Sequence, residues 1–121
     1  MKRIIFSNRL IKKENLSQKD IDIIIKSSQK NIFTKIKGDD LPKETSLIKI
    51  YVTTINEAKR LVFLLDEETS VGHFLFFRKK EDLLGKNISI KNPKFKEALR
   101  QYLKIWDEDM KNDNFEIIEL V

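Results

Sequence analysis

Two short apolar runs, Leu61-Val62-Phe63-Leu64-Leu65 and Phe74-Leu75-Phe76-Phe77, constrain this chain more than any other feature. Each is bounded by turn-forming or charged residues and is too short for a helix. The polar stretch Asp66-Glu67-Glu68-Thr69-Ser70 between them makes the pair a hairpin. A strand with one wet face alternates apolar and polar residues, whereas these runs are apolar at both parities. The hairpin therefore belongs at the centre of a sheet, covered on both faces. A chain of 121 residues can supply that cover, because a domain of this size buries roughly two-thirds of its unfolded surface.

The flanking segments supply the remaining elements. Lys2–Phe6 reads as an opening strand, and Arg9–Asn15 as either a helical turn or a loop. Ser17 with Asp20 has the form of a capping box. The helix after it places Ile21, Ile24, Ile25, Ser28, Ile32 and Ile36 on one stripe and is expected to end at Gly38-Asp39-Asp40-Leu41-Pro42. From Leu47 the period becomes two: Ile48, Ile50 and Val52 face one way, and Lys49, Tyr51 and Thr53 the other. Leu83–Lys91 is expected to be a loop with a short strand at Ile88–Ile90. Asn92 and Pro93 open the clearest helix, with Phe95, Leu99, Tyr102, Leu103 and Trp106 at helical spacing. Phe115–Leu120 suits an edge strand. The order β-α-β-β-β-α, with a possible last strand, predicts one α+β domain: a small antiparallel sheet with helices packed on it.

Composition removes several classes of chemistry. With no cysteine and a single histidine, His73, the chain has no disulfide scaffold, thiolate site, cysteine nucleophile or multi-histidine zinc site. Gly38, Gly72 and Gly85 are isolated, so there is no phosphate-cradling glycine loop. The paired carboxylates fall in turns, without metal-ligand spacing. No apolar run approaches a membrane span, and no signal-peptide core is present, so a soluble cytoplasmic protein without cofactor or membrane partner is expected. His73, near the hairpin turn, is expected to be a surface or capping residue.

Charge is segregated. Asp107–Val121 carries six acids and one base, leaving +10 on Met1–Trp106 out of the whole chain's +5. A basic body favours a polyanionic partner, with nucleic acid the commonest case, although a lysine-rich composition also arises without one. Asp107, Glu108 and Asp109 oppose the dipole at a helix C-terminus, and the local sequence offers no reason for them. They are expected to repel RNA from one side. Within the basic body, Lys59-Arg60 opens one hairpin strand and Arg78-Lys79-Lys80 closes the other. Antiparallel pairing brings Arg60 and Arg78 to the same end, where adjacent cations call for an anion such as phosphate. Tyr51 shares a face with Lys49.

Three phrases carry a family resemblance. They are Gly38-Asp39-Asp40-Leu41-Pro42-Lys43 leading to Leu47-Ile48-Lys49-Ile50-Tyr51, then Lys59-Arg60-Leu61-Val62-Phe63, then Phe74-Leu75-Phe76-Phe77-Arg78-Lys79-Lys80. Over roughly Met1–Asp82 their order resembles the RelE/ParE-like toxins of bacterial toxin–antitoxin pairs, with the helix from about residue 92 as an extension. The resemblance implies a metal-free mRNA endonuclease, ribosome-associated and neutralised by a cognate antitoxin, in which the ribose 2′-OH attacks the adjacent phosphate. It implies that Arg60 and Arg78 stabilise the phosphate, that Lys49 is the base, and that Tyr51, Lys59, Lys79, Lys80 and Lys86 contact RNA. The family's tyrosine or histidine after the last basic strand is absent from Glu81-Asp82-Leu83, which leaves the general acid unassigned. A gyrase-inhibiting toxin of the ParE kind and a non-catalytic nucleic-acid-binding or adaptor module are the alternatives.

Overall fold

The computed structural model describes residues 1–38, 40–82 and 88–120. Its elements in chain order are β1 (Arg3–Ser7), α1 (Asn8–Lys13), α2 (Gln18–Gln29), β2 (Thr34–Ile36), β3 (Thr45–Thr53), β4 (Ala58–Asp66), β5 (Val71–Lys79), α3 (Pro93–Lys111) and β6 (Phe115–Glu119). The class is α+β: among the described residues, a six-stranded, mostly antiparallel open sheet with three helices. The sheet order is β2-β3-β4-β5-β1-β6, which sets the β4–β5 hairpin at the centre as its two-sided apolarity requires. Leu61–Leu64 and Phe74–Phe76 are fully buried.

Three features depart from the pattern read along the chain. The sheet is mixed rather than antiparallel, because β1 lies parallel to β5 with Arg3 opposite Val71. Helix α2 starts at the Ser17–Asp20 capping box but stops at Gln29. Asn31 takes the left-handed conformation (φ 54°), a role expected of Gly38, and turns the chain out of the helix. Thr34–Ile36 then pairs with Leu47–Lys49, so Ile32 and Ile36 leave the helical stripe. Arg9–Asn15, read as a helical turn or a loop, takes the helical alternative, with Arg9–Lys13 in α1, capped by Ser7. Ile88–Ile90 forms bends and turns instead of a strand, and Asp39 and Leu83–Asn87 lie outside the described residues.

Register assigns side chains to faces. Tyr51 pairs with Arg60 and Arg60 with Arg78; Val62 pairs with Phe76, and Leu64 with His73. These residues share one face, and α3 packs on it: Phe76 meets Phe95 and Tyr102 edge-on at 5.8 and 5.6 Å. The helix expected as an extension thus places Phe95, Leu99 and Tyr102 in the same core as the sheet. On the opposite face Phe74 contacts Phe6 and Phe63. Helix α2 crosses that side, with Asp20 3.8 Å from Lys59 at its start and Asn31, just past its end, accepting from the Met1 ammonium.

The acids at the end of α3 find partners in the fold. Asp109, only 1% exposed, accepts hydrogen bonds from the Ser7 hydroxyl, from the Arg9 backbone N–H at 3.1 Å and from Asn114 Nδ2 at 3.2 Å. Its carboxylate therefore stands at the N-terminus of α1, where negative charge is favoured. Glu108 pairs with Arg9 at 3.2 Å and Asp107 with Lys111 at 2.8 Å. These contacts give the acidic stretch a structural role without RNA.

His73 is mostly buried, not a surface residue; its ring meets Trp106 edge-on at 5.1 Å. Burial depresses its pKa, opposed in part by the nearby Asp66 charge. The folded state therefore favours neutral imidazole, while the unfolded chain takes up a proton near pH 6.5. Stability is expected to be complete above about pH 6.5 and to decline as pH falls through that value toward the lower folded pKa. Urea midpoints measured between pH 7.5 and 5.5 should fall for the parent and stay flatter for His73→Phe; parallel curves would refute the assignment.

Candidate functional site

The hairpin register builds a transverse row across three strands. Tyr51 on β3, Arg60 on β4 and Arg78 on β5 are direct cross-strand partners, and Lys49 lies two residues from Tyr51 on the same face. Such partners hold their Cβ atoms about 5 Å apart. The convergence of Arg60 and Arg78 expected from the sequence is met at the level of register. Tyr51 is 55% exposed, with the Arg60 guanidinium 4.2 Å and the Lys49 ammonium 5.2 Å from its ring centroid. Lys49 and, less strongly, Arg60 hold the Tyr51 phenol below its usual range, against a smaller opposing effect of burial. Arg60 donates to the Lys59 carbonyl at 3.1 Å, and neither Lys49 nor Arg60 has an ion-pair partner among the described residues. Two cations and an exposed phenol form a surface suited to a phosphodiester.

Arg78 behaves differently. Its Nε donates to both oxygens of Glu14, at 2.9 and 3.1 Å, and one terminal nitrogen donates to Glu14 Oε2 at 2.9 Å and to the Tyr102 hydroxyl at 2.6 Å. The other terminal nitrogen reaches Asp82 at 3.4 Å. The Glu14 side chain, 1% exposed, also accepts the Phe77 N–H at 3.0 Å and the Tyr102 O–H at 2.6 Å. The bond and charge of Glu14 raise the Arg78 pKa well above its already high value, while burial and Glu14 raise that of Tyr102. The Arg78 fork is thus filled from within, which does not suit the phosphate role expected of it. Cancelling the Arg78 charge also removes much of the cation crowding that a lysine base at position 49 would need.

The other expected contacts divide by face. Lys59 and Lys79 are partners on the opposite side of the sheet, both bound to Glu57, at 3.5 and 3.2 Å. Lys59 also lies 4.7 Å over the Phe77 ring. Neither joins the Tyr51 row. Lys80 is exposed just beyond β5, and Lys86 lies outside the described residues. Among the described residues, no cluster of three His, Asp or Glu side chains could hold a metal ion, and no helix is long and apolar enough to cross a membrane.

Sequence reasoning missed two parts of this region. Glu14 was hidden in the ambiguous Arg9–Asn15 segment; the one signal for it is a lone acid beside Lys12 and Lys13. The second is a groove of about 270 Å³ at the outer edge of β3, lined by residues including Lys30, Thr34, Lys49 and Tyr51. It was obscured because α2 was expected to continue through Lys30 and Thr34. Comparison with protein-family models, curated proteins and solved structures finds no match for this chain.

Proposed function

We propose that this chain binds single-stranded RNA over the Lys49–Tyr51–Arg60 row and cleaves it as the toxin of a toxin–antitoxin pair. The reading rests on one observation: two cations without ion pairs among the described residues flank an exposed tyrosine whose phenol is shifted toward ionisation. In this mechanism Arg60 neutralises a non-bridging phosphate oxygen. The Tyr51 phenolate takes the proton of the ribose 2′-OH as that oxygen bonds to phosphorus. The P–O5′ bond breaks, and the Lys49 ammonium protonates the departing 5′ oxygen. The products are a 2′,3′-cyclic phosphate and a 5′-hydroxyl. The roles of Lys49 and Tyr51 thus differ from the assignment implied by the family resemblance, because a charged Lys49 is what favours the phenolate. Messenger RNA on the ribosome is the proposed substrate, in the cytoplasm, with a cognate antitoxin covering the basic row.

A second reading, a nucleic-acid-binding module without catalysis, is favoured by the filled fork of Arg78. Induced expression followed by mapping of transcript ends separates the two. The catalytic reading expects new 5′-hydroxyl ends that disappear with Arg60→Ala, and fall about 100-fold with Tyr51→Phe while RNA binding persists. Intact transcripts, together with RNA binding that is lost in Arg60→Ala, would establish the non-catalytic module. Absence of RNA binding by the parent would dismiss both.

A further inference from the structure

The edge of β3 is only partly covered. Strand β2 begins at Thr34, opposite Lys49, and runs away toward Ile36 opposite Leu47, so among the described residues Ile50–Thr53 has no neighbouring strand on that side. The groove noted above follows this open edge. Lys30, just past α2, and Lys49 both line it; Ser27, Thr34 and Thr53 add hydroxyls, and no acidic side chain lines it among the described residues. Ile32, 75% exposed, and Phe33 give it an apolar flank beside Tyr51.

We infer that this groove is a subsite for the nucleotide flanking the one held on the Tyr51–Arg60 row. This inference rests on the RNA-binding reading above and extends it to the path of the strand. Its volume is near the lower end of small-ligand pockets, enough for a single nucleotide rather than a duplex. The two lysines meet the phosphate, the hydroxyls face the sugar, and Ile32, Phe33 and Tyr51 offer apolar surface to the base, a combination that suits single strands without demanding one sequence. An extended acidic peptide pairing with the free edge of β3 is the competing occupant; a lining that combines hydroxyls with the aromatic residues Phe33 and Tyr51 favours the nucleotide.

The test uses fluorescently labelled 2′-O-methyl probes, which cannot be cleaved by 2′-OH attack, in two lengths: a single nucleotide and an octamer. Lys30→Glu is expected to weaken the octamer about fivefold and leave the single nucleotide, which reaches only the row, unchanged. With Lys30→Gln the salt dependence of octamer binding should fall by about 0.7 in log–log slope, the loss of one phosphate contact. Arg60→Ala should weaken both lengths. Unchanged octamer binding in both Lys30 variants, with Arg60→Ala still defective, would overturn the subsite and leave the row intact. No effect of Arg60→Ala would overturn the row and the subsite with it. Binding of a glutamate-rich peptide that is lost in Lys30→Glu, while the octamer is unaffected, would assign the groove to a protein partner instead.

Discussion

Arg78→Ala is expected to lower the unfolding free energy by about 3 kcal/mol, whereas Arg60→Ala, its cross-strand partner, should cost under about 0.5 kcal/mol. The contrast follows from what each guanidinium leaves behind. Removing Arg78 strands the buried Glu14 carboxylate, whose side chain is almost fully enclosed, with only Phe77 N–H and Tyr102 O–H to satisfy it. The Arg78 side chain is itself 29% exposed, which places the loss at the low end for a broken buried pair. Arg78→Lys should recover little, since an ammonium cannot reproduce the two-pronged contact with Glu14. Glu14→Gln combined with Arg78→Met should cost less than the sum of the single changes. Urea denaturation of the six variants, the single changes Glu14→Gln and Arg78→Met included, measures all of this. Equal, small losses for both alanine variants would show that the Arg78 fork is open in solution and available to an anion.

The second large effect is expected at Asp109. Replacing it by alanine leaves the fully buried Ser7 hydroxyl and the Arg9 N–H without their acceptor, at a cost of about 3 kcal/mol. Asp109→Asn should recover only part, because its NH₂ would face donors where the carboxylate accepts. The damage should concentrate where β1 passes into α1 and at the turn around Asn114. Amide hydrogen exchange provides the readout: protection should fall in Asn8–Lys13 before it falls in β4 or β5. Uniform loss across the sheet would show that Asp109 stabilises the whole domain evenly instead of fastening α1.

The central hairpin was legible because burial on both faces leaves a direct mark on sequence: Leu61–Leu65 and Phe74–Phe77 have no polar parity to hide. The alternation in β3 and the caps at Ser17 and Asn92 were legible for the same local reason. The end of α2 was not, since Ile32 and Ile36 fit a helical period, and only pairing with β3 shows that Thr34–Ile36 is a strand. The parallel docking of β1 on β5 is likewise a tertiary outcome with no local pattern.

At the site, register could be inferred from the turn position, so Arg60 and Arg78 were brought together correctly. What each arginine does could not, because it depends on Glu14, 64 residues away from Arg78 in sequence. Strand-end cations look alike in one dimension. Here one is enclosed by a carboxylate and a phenol, and the other lies open on a tyrosine ring.

The pairing of β1 with β6, Arg3 opposite Glu119 and Ser7 opposite Phe115, joins the two extremities of the fold. On a growing polypeptide made at roughly 5–20 residues per second, the first strand must therefore wait several seconds for its outer neighbour. Until then β1 lacks the strand that pairs with its outer flank. Completion of this architecture is thus tied to the emergence of the final segment, and a ribosome stalled before residue 115 would hold a chain whose sheet is still one strand short.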